Sequence, residues 1–179
     1  MGFNAALNAA LPIGVNITYY VDDTLLVACG RDWSCTIRLM EAGLAAVTTE
    51  ITKMGLEVAA QKTEATWFHG LPKTKRPPTS WIAVGGDRVP VGRSIKYLGL
   101  VLDDRLSFES HFAQLTPRVE KVALSLSRIL PNIGGPKAKI RRLYAAVTGS
   151  MVLYGAPIWA KEDPLSRQNI KTLRSAQRL

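Results

Sequence analysis

Cysteine is scarce in this chain of 179 residues: Cys29 and Cys35 are the only two. That is too few for a disulfide framework, so a reducing, intracellular setting is expected, nuclear or cytoplasmic. Histidine is as scarce, and His69 and His111 have no companion ligands at zinc-site spacing; both read as surface or capping histidines. Neither a charged leader with an apolar core nor an apolar run of membrane-spanning length occurs, so no membrane partner is expected. The glycine pairs Gly85-Gly86 and Gly134-Gly135 lack the Lys-Ser/Thr sequel of a phosphate-binding loop. Internal repeats and low-complexity tracts are absent as well. Acidic residues are in short supply, 14 against 23 Lys and Arg, which leaves a formal charge of +9.

What is present suits a folded domain. The apolar share of 47% is ordinary for a globular protein, and the length allows one or two compact units with a core. The charge is uneven. Residues 1–70 carry −3, residues 71–135 carry +5 and residues 136–179 carry +7. The basic end reads as helical, and Lys137, Lys139, Arg141, Arg142, Lys171, Arg174 and Arg178 can contact phosphates, giving salt-dependent binding with little sequence preference. The same residues would equally serve as a solvated helix face.

Periodicity separates two regimes. Gly14 to Tyr20 and Thr24 to Cys29 are rich in β-branched, aromatic and aliphatic residues, as strands are. From Asp32, the residues Trp33, Ile37, Met40, Leu44, Val47, Ile51 and Met54 recur at steps of three and four, a helical stripe ending at Gly55 that should pack on the preceding hairpin. Strands are expected at Leu56 to Ala60 and Ala65 to Phe68, with an exposed linker at Leu71 to Pro78. Trp81 to Val84 and Arg88 to Val91 read as a small hairpin about Gly85-Gly86-Asp87, followed by a strand from Ser94 to Leu102.

Beyond Asp103-Asp104 the period becomes helical. Phe108, Phe112, Leu115, Val119, Val122, Leu126 and Ile129 form one stripe, with Ser107 as cap and Glu109 in the first turn. Pro117 should kink or split it. A second helix opens at Pro136 and carries Ile140, Leu143, Tyr144, Val147 and Met151, and a third begins near Pro164 with Leu165, Ile170 and Leu173. The expected fold class is α+β: an antiparallel sheet with a packed helix over residues 1–102, then an all-helical bundle over residues 103–179.

The most informative short segment is Tyr20-Val21-Asp22-Asp23, two adjacent carboxylates at the tip of a hairpin. Like charges held together favour a counter-cation, and Mg²⁺ is the hard ion that takes oxygen ligands and leaves room for substrate phosphates. A solvated Asp-Asp turn is the simpler alternative, because Asp also favours turns through local hydrogen bonds.

Three later segments accompany it in order: Gly55-Leu56-Glu57-Val58-Ala59-Ala60-Gln61-Lys62-Thr63-Glu64, Ile95-Lys96-Tyr97-Leu98-Gly99-Leu100-Val101-Leu102-Asp103, and Leu153-Tyr154-Gly155-Ala156-Pro157-Ile158-Trp159-Ala160. Together with Tyr20-Val21-Asp22-Asp23 they resemble the later palm motifs and thumb of the reverse transcriptases of non-LTR (LINE-type) retrotransposons, particularly insect elements. The resemblance covers most of the chain, with Met1 to Leu7 matching the tail of the helix before the aspartate hairpin. It implies a fragment, since in that family the fingers, the first half of the palm and a further metal-binding aspartate come earlier.

The resemblance also implies chemistry. RNA-directed DNA synthesis proceeds by two-metal nucleotidyl transfer, with one Mg²⁺ activating the primer hydroxyl and another steadying the triphosphate. Asp22 would be the principal ligand, assisted by Asp23, and both count as catalytic. Tyr20 and Val21 would lie beneath the primer end, although Tyr20 could instead pack on the palm helix. Lys62 resembles a lysine beside the triphosphate, or else is a solvated loop residue. Lys96, Tyr97, Leu98 and Gly99 resemble the primer grip, with Gly99 permitting close backbone approach. Trp159 is expected to anchor the thumb rather than stack on a base. RNA template, DNA primer, deoxynucleoside triphosphates and the remainder of a polyprotein are the implied partners. A polymerase fragment inactive in isolation, a non-enzymatic nucleic-acid-binding module and a degenerate element copy are the three readings to separate.

Overall fold

The computed structural model describes residues 9–70, 78–129, 138–160 and 167–176. All but the last residue of the expected linker from Leu71 to Pro78, the openings of the helices around Pro136 and Pro164 with Leu165, and the segment Met1 to Leu7 lie outside these residues. The chain divides into two compact units, Met1–Leu98 and Gly99–Leu179.

In the first unit, β1 (Val15–Tyr20) and β2 (Asp23–Ala28) pair antiparallel, from Val15 opposite Ala28 to Tyr20 opposite Asp23. Helix α1 (Trp33–Lys53) follows. Asp32 caps it, its Oδ1 accepting from the Cys35 amide at 2.7 Å. At the other end Gly55 takes φ +74°, while the Leu56 amide donates to Ile51 O at 3.2 Å and the Gly55 amide to Thr52 O at 2.9 Å. This pair of bonds is a Schellman stop. The predicted stripe faces inward, and α1 packs on the β1–β2 ribbon as the periodicity requires. Gly43 lets it come close: a Cβ there would lie 2.9 Å from Val15 Cγ1.

The same helix covers a second sheet, in the order β3 (Ala65–Thr66), β5 (Asp87–Gly92), β4 (Trp81–Val84). β4 and β5 form the expected hairpin, and β3 runs parallel to β5. Ala60, Ile82, Val84 and Val89 make the buried core, with Met40 and Leu44 of α1 against them. The expected strand from Leu56 to Ala60 does not form. Val58 packs on the core from irregular backbone, and Ala60 enters it from the 3₁₀ turn Ala60–Lys62. Phe68 lies outside β3 and is exposed.

The strand expected from Ser94 to Leu102 is interrupted. β6 (Ser94–Tyr97) and β7 (Leu100–Asp103) flank Leu98 at φ +46° and Gly99 at φ +80°, a left-handed pair that no continuous strand accommodates.

The second unit joins β7 to α2 (Glu109–Ile129), α3 (Ala138–Leu153), the short α4 (Ala156–Trp159) and α5 (Arg167–Ala176). α2 packs on β7, α3 and α5. Phe108, Phe112 and Trp159 are buried together with Leu115 and Leu173 around them, and Val119 meets Val152 nearby. Pro117 does not split α2. The carbonyl it leaves unbonded belongs to Ala113, which is exposed, so water can satisfy it. Ile140, Tyr144, Val147 and Met151 of the expected stripe are half-buried, whereas Leu143 is 59% exposed and the buried position of α3 is Val152. Ile129, in the last turn of α2, is also exposed.

Candidate functional site

The acid pair sits where strand pairing places it. Tyr20 opposite Asp23 is the last register pair, which leaves Val21 and Asp22 as a two-residue turn. Val21 takes φ +58°, and positive φ at only the first central position marks a type II′ turn, normally built with glycine there. A β-branched residue in that conformation is strained, by about 1–3 kcal/mol for such outliers, and strain of this kind clusters at functional sites. Val21 is 73% exposed and Tyr20 61% exposed; Asp22 and Asp23 are exposed too. Tyr20 therefore does not pack on the helix. Its neighbour Tyr19 points the other way, half-buried, and desolvation pushes its hydroxyl pKa up.

Two exposed carboxylates on consecutive residues can supply oxygen ligands to a hard divalent cation. Among the described residues no group of three or more His, Cys, Asp or Glu side chains converges to hold a metal. The pair fits Mg²⁺ in donor chemistry and supplies only part of a coordination shell.

Each of the other predicted residues is placed by its own element. Lys62 ends the 3₁₀ turn with its side chain exposed. No hydrogen bond or ion pair joins it to Asp22 or Asp23 among the described residues. The Lys96 side chain is exposed, while its amide donates to Glu64 Oε2 at 2.7 Å. Tyr97 and Leu98 are half-buried. The open side of Gly99 is taken by Tyr154, whose Cε1 would lie 3.3 Å from an added Cβ. Lys139, Arg141 and Arg142 on α3 and Lys171 and Arg174 on α5 are exposed; Lys137 and Arg178 lie outside the described residues.

Trp159 anchors the helices as expected, edge-on to Phe112 with centroids 5.3 Å apart and its Nε1 donating to Tyr154 O at 2.9 Å. His111 corrects the surface reading: it is buried, and its Nδ1 accepts from the Val101 amide at 3.4 Å. It precedes Leu115 and Val119 at steps of four, which places it on the inward stripe of α2. Burial, and then the Arg118 charge, lower its pKa.

Sequence reasoning passed over Asp103 as a mere boundary. Its buried carboxylate accepts from the amides of Arg105, Ser107 and Phe108 and from Ser107 Oγ, at 2.7–3.1 Å. Asn169 of α5, itself buried, donates from Nδ2 to Ser107 O at 2.8 Å. The signal available was the Asp-x-x-x-Ser spacing ahead of a helical stripe.

Two curated relatives were compared with the chain. A 115 kDa protein in the type-1 retrotransposable element R1DM of Drosophila melanogaster is 28% identical over 144 residues, which cover 80% of this chain and 14% of that protein. The retrovirus-related Pol polyprotein from the type-1 retrotransposable element R1 of Bradysia coprophila is 25% identical over 177 residues, 98% of this chain and 17% of that one. The chain therefore spans less than a fifth of the length of either relative. No family model and no solved structure matches it. These similarities relate the chain to non-LTR retrotransposon proteins.

Proposed function

We propose that this retrotransposon-related chain contributes the aspartate turn and the basic helices of an RNA-directed DNA polymerase, a partial palm and thumb within a longer polypeptide. The observation that carries the reading is the exposed Asp22-Asp23 pair at a strained two-residue turn between paired strands. In this role Asp22, with Asp23, would hold Mg²⁺, and two such ions would support in-line attack of a primer hydroxyl on a deoxynucleoside triphosphate. Lys62 would neutralise charge on the triphosphate. Lys96 to Gly99 would border the primer end, and the exposed cations of α3 and α5 would hold the RNA template and DNA primer by their phosphates. Such a polymerase would act in the nucleus or cytoplasm.

The remaining metal ligands would come from elsewhere in the polypeptide, since the described residues gather no set of three. The 179-residue chain by itself should then bind divalent ions weakly and extend no primer, because both charge stabilisation and nucleotide positioning are incomplete. Paramagnetic Mn²⁺ serves as the probe. At millimolar concentration it should broaden the amide resonances of Val21 to Thr24 first, and Asp22→Ala should remove that preference. Broadening centred elsewhere, or primer extension on an RNA template by the pure chain with Mg²⁺, would count against the proposal.

The exposed cations on α3 and α5 also support a second reading, a nucleic-acid-binding module without chemistry. In that case duplex binding persists in Asp22→Ala and no site-specific Mn²⁺ effect is seen.

A further inference from the structure

The chain has four tryptophans, and three of them are engaged by side chains of the chain itself. Trp33 and Trp67 meet edge to face at 4.9 Å, Trp67 Nε1 also donates to Ser80 Oγ at 3.1 Å, and Trp159 is locked against Phe112. Trp81 is different. It is 53% exposed, and among the described residues its indole N–H has no hydrogen-bond partner and its ring no aromatic neighbour.

Strand alternation explains its position. Ile82, Val84 and Val89 point into the core, so Trp81 and Ala83 of β4, with Arg88 and Pro90 of β5, make the outer face. Register puts Trp81 opposite Pro90 and Arg88 opposite Ala83, which makes Arg88 the diagonal neighbour of the indole. Arg88 is exposed and has no ion-pair partner among the described residues. The nearby acids are directed elsewhere. Asp87 alternates to the other side of β5, and Glu41 Oε1 accepts from the Ala83 amide at 3.3 Å, along the edge of β4. Among the described residues the face therefore combines a half-exposed indole, a paired hairpin beneath it and a guanidinium without an ion-pair partner.

We infer that the outer face of the β4–β5 hairpin is a stacking site for an unpaired base, with Trp81 as the platform and Arg88 holding the adjoining phosphate of single-stranded nucleic acid. Stacking accepts any base, and only a strand outside a duplex can present one. Charge complementarity selects a polyanion over an apolar peptide, for which the arginine would be an obstacle. The inference rests on the nucleic-acid role proposed above, but uses residues apart from the acid turn.

The test is fluorescence anisotropy of a labelled, unstructured single-stranded RNA with the full chain at low salt. Trp81→Ala and Trp81→Leu should each weaken binding roughly tenfold, the value for loss of one base–aromatic stack, while Trp81→Phe stays within about threefold. Fully paired duplex should bind all variants alike. Equal affinity of wild type and Trp81→Ala for single strands would overturn the inference, as would parallel losses on duplex or a Trp81→Leu variant that binds normally. A chain with no affinity for any oligonucleotide overturns it as well, yet leaves the Mn²⁺ experiment on Asp22 to decide the catalytic reading separately.

Discussion

A valine at φ +58° is the conformation its side chain resists most, and at Val21 the register of β1 and β2 leaves no alternative. Glycine would relieve the steric term and add some backbone entropy cost, so Val21→Gly should stabilise the chain by about 1 kcal/mol. Chemical denaturation measures this directly, and a loss of stability would mean that the valine makes contacts worth more than its strain. His111 is the second residue whose surroundings set a measurable property. Its Nδ1 accepts the Val101 N–H, so the neutral ring carries its proton on Nε2. Burial and Arg118 hold its folded pKa below the ordinary value. The unfolded chain then takes up a proton that the folded chain refuses, and stability is lost as pH falls below about 6.5. Thermal midpoints should drop between neutral pH and ~pH 5, and His111→Gln should remove that part of the slope. An unchanged slope would place the titration elsewhere.

Elements depend on their junctions, and the junction from β7 to α2 is tied from two sides. Asp103 satisfies several amides from within while Asn169 holds Ser107 O from α5. Leu106 at φ +55° and Phe108 at φ +58° show how tight the path is. Asp103→Ala would orphan the Phe108 amide in the interior, and charge-assisted bonds of this kind are worth ~1.5–3 kcal/mol each. The variant should lose at least ~2 kcal/mol, far more than Asp87→Ala at the exposed start of β5. Comparable losses in the two would contradict the assigned role. The same junction shows what sequence can reveal. Helix α1 and the β4–β5 hairpin were legible because a period of 3.6 or 2 and a glycine stop are local properties. The acid turn was legible for the same reason, its two strands flanking a two-residue break. Leu143 was not, because burial of one helix position over its neighbour depends on which element packs there; His111 shares the stripe's step of four but its side chain is polar, and the break at Leu98-Gly99 interrupts a run whose residues all suit a strand. Val119 against Val152 turns α3 so that Leu143 faces out, and no pattern within α3 specifies that.

Across the whole chain the charge gradient is the property that packing leaves untouched. Its described cations at the C-terminal end stay exposed on α3 and α5, while residues 1–70 are net acidic. A binding surface of this composition gains affinity by releasing counterions, with a slope of about 0.9 per phosphate contact on duplex. Replacing Lys139, Arg141 and Arg142 together by Gln should therefore flatten the plot of log affinity against log salt by about two to three units, and weaken binding similarly for every duplex sequence. The acid turn supplies the internal contrast. Asp22→Ala removes a negative charge from the net-acidic end, so it should leave the slope unchanged and, if anything, tighten non-specific binding. A triple variant with the wild-type slope would show that these helices present a solvated face to water, and the nucleic-acid role would then have to rest on other residues.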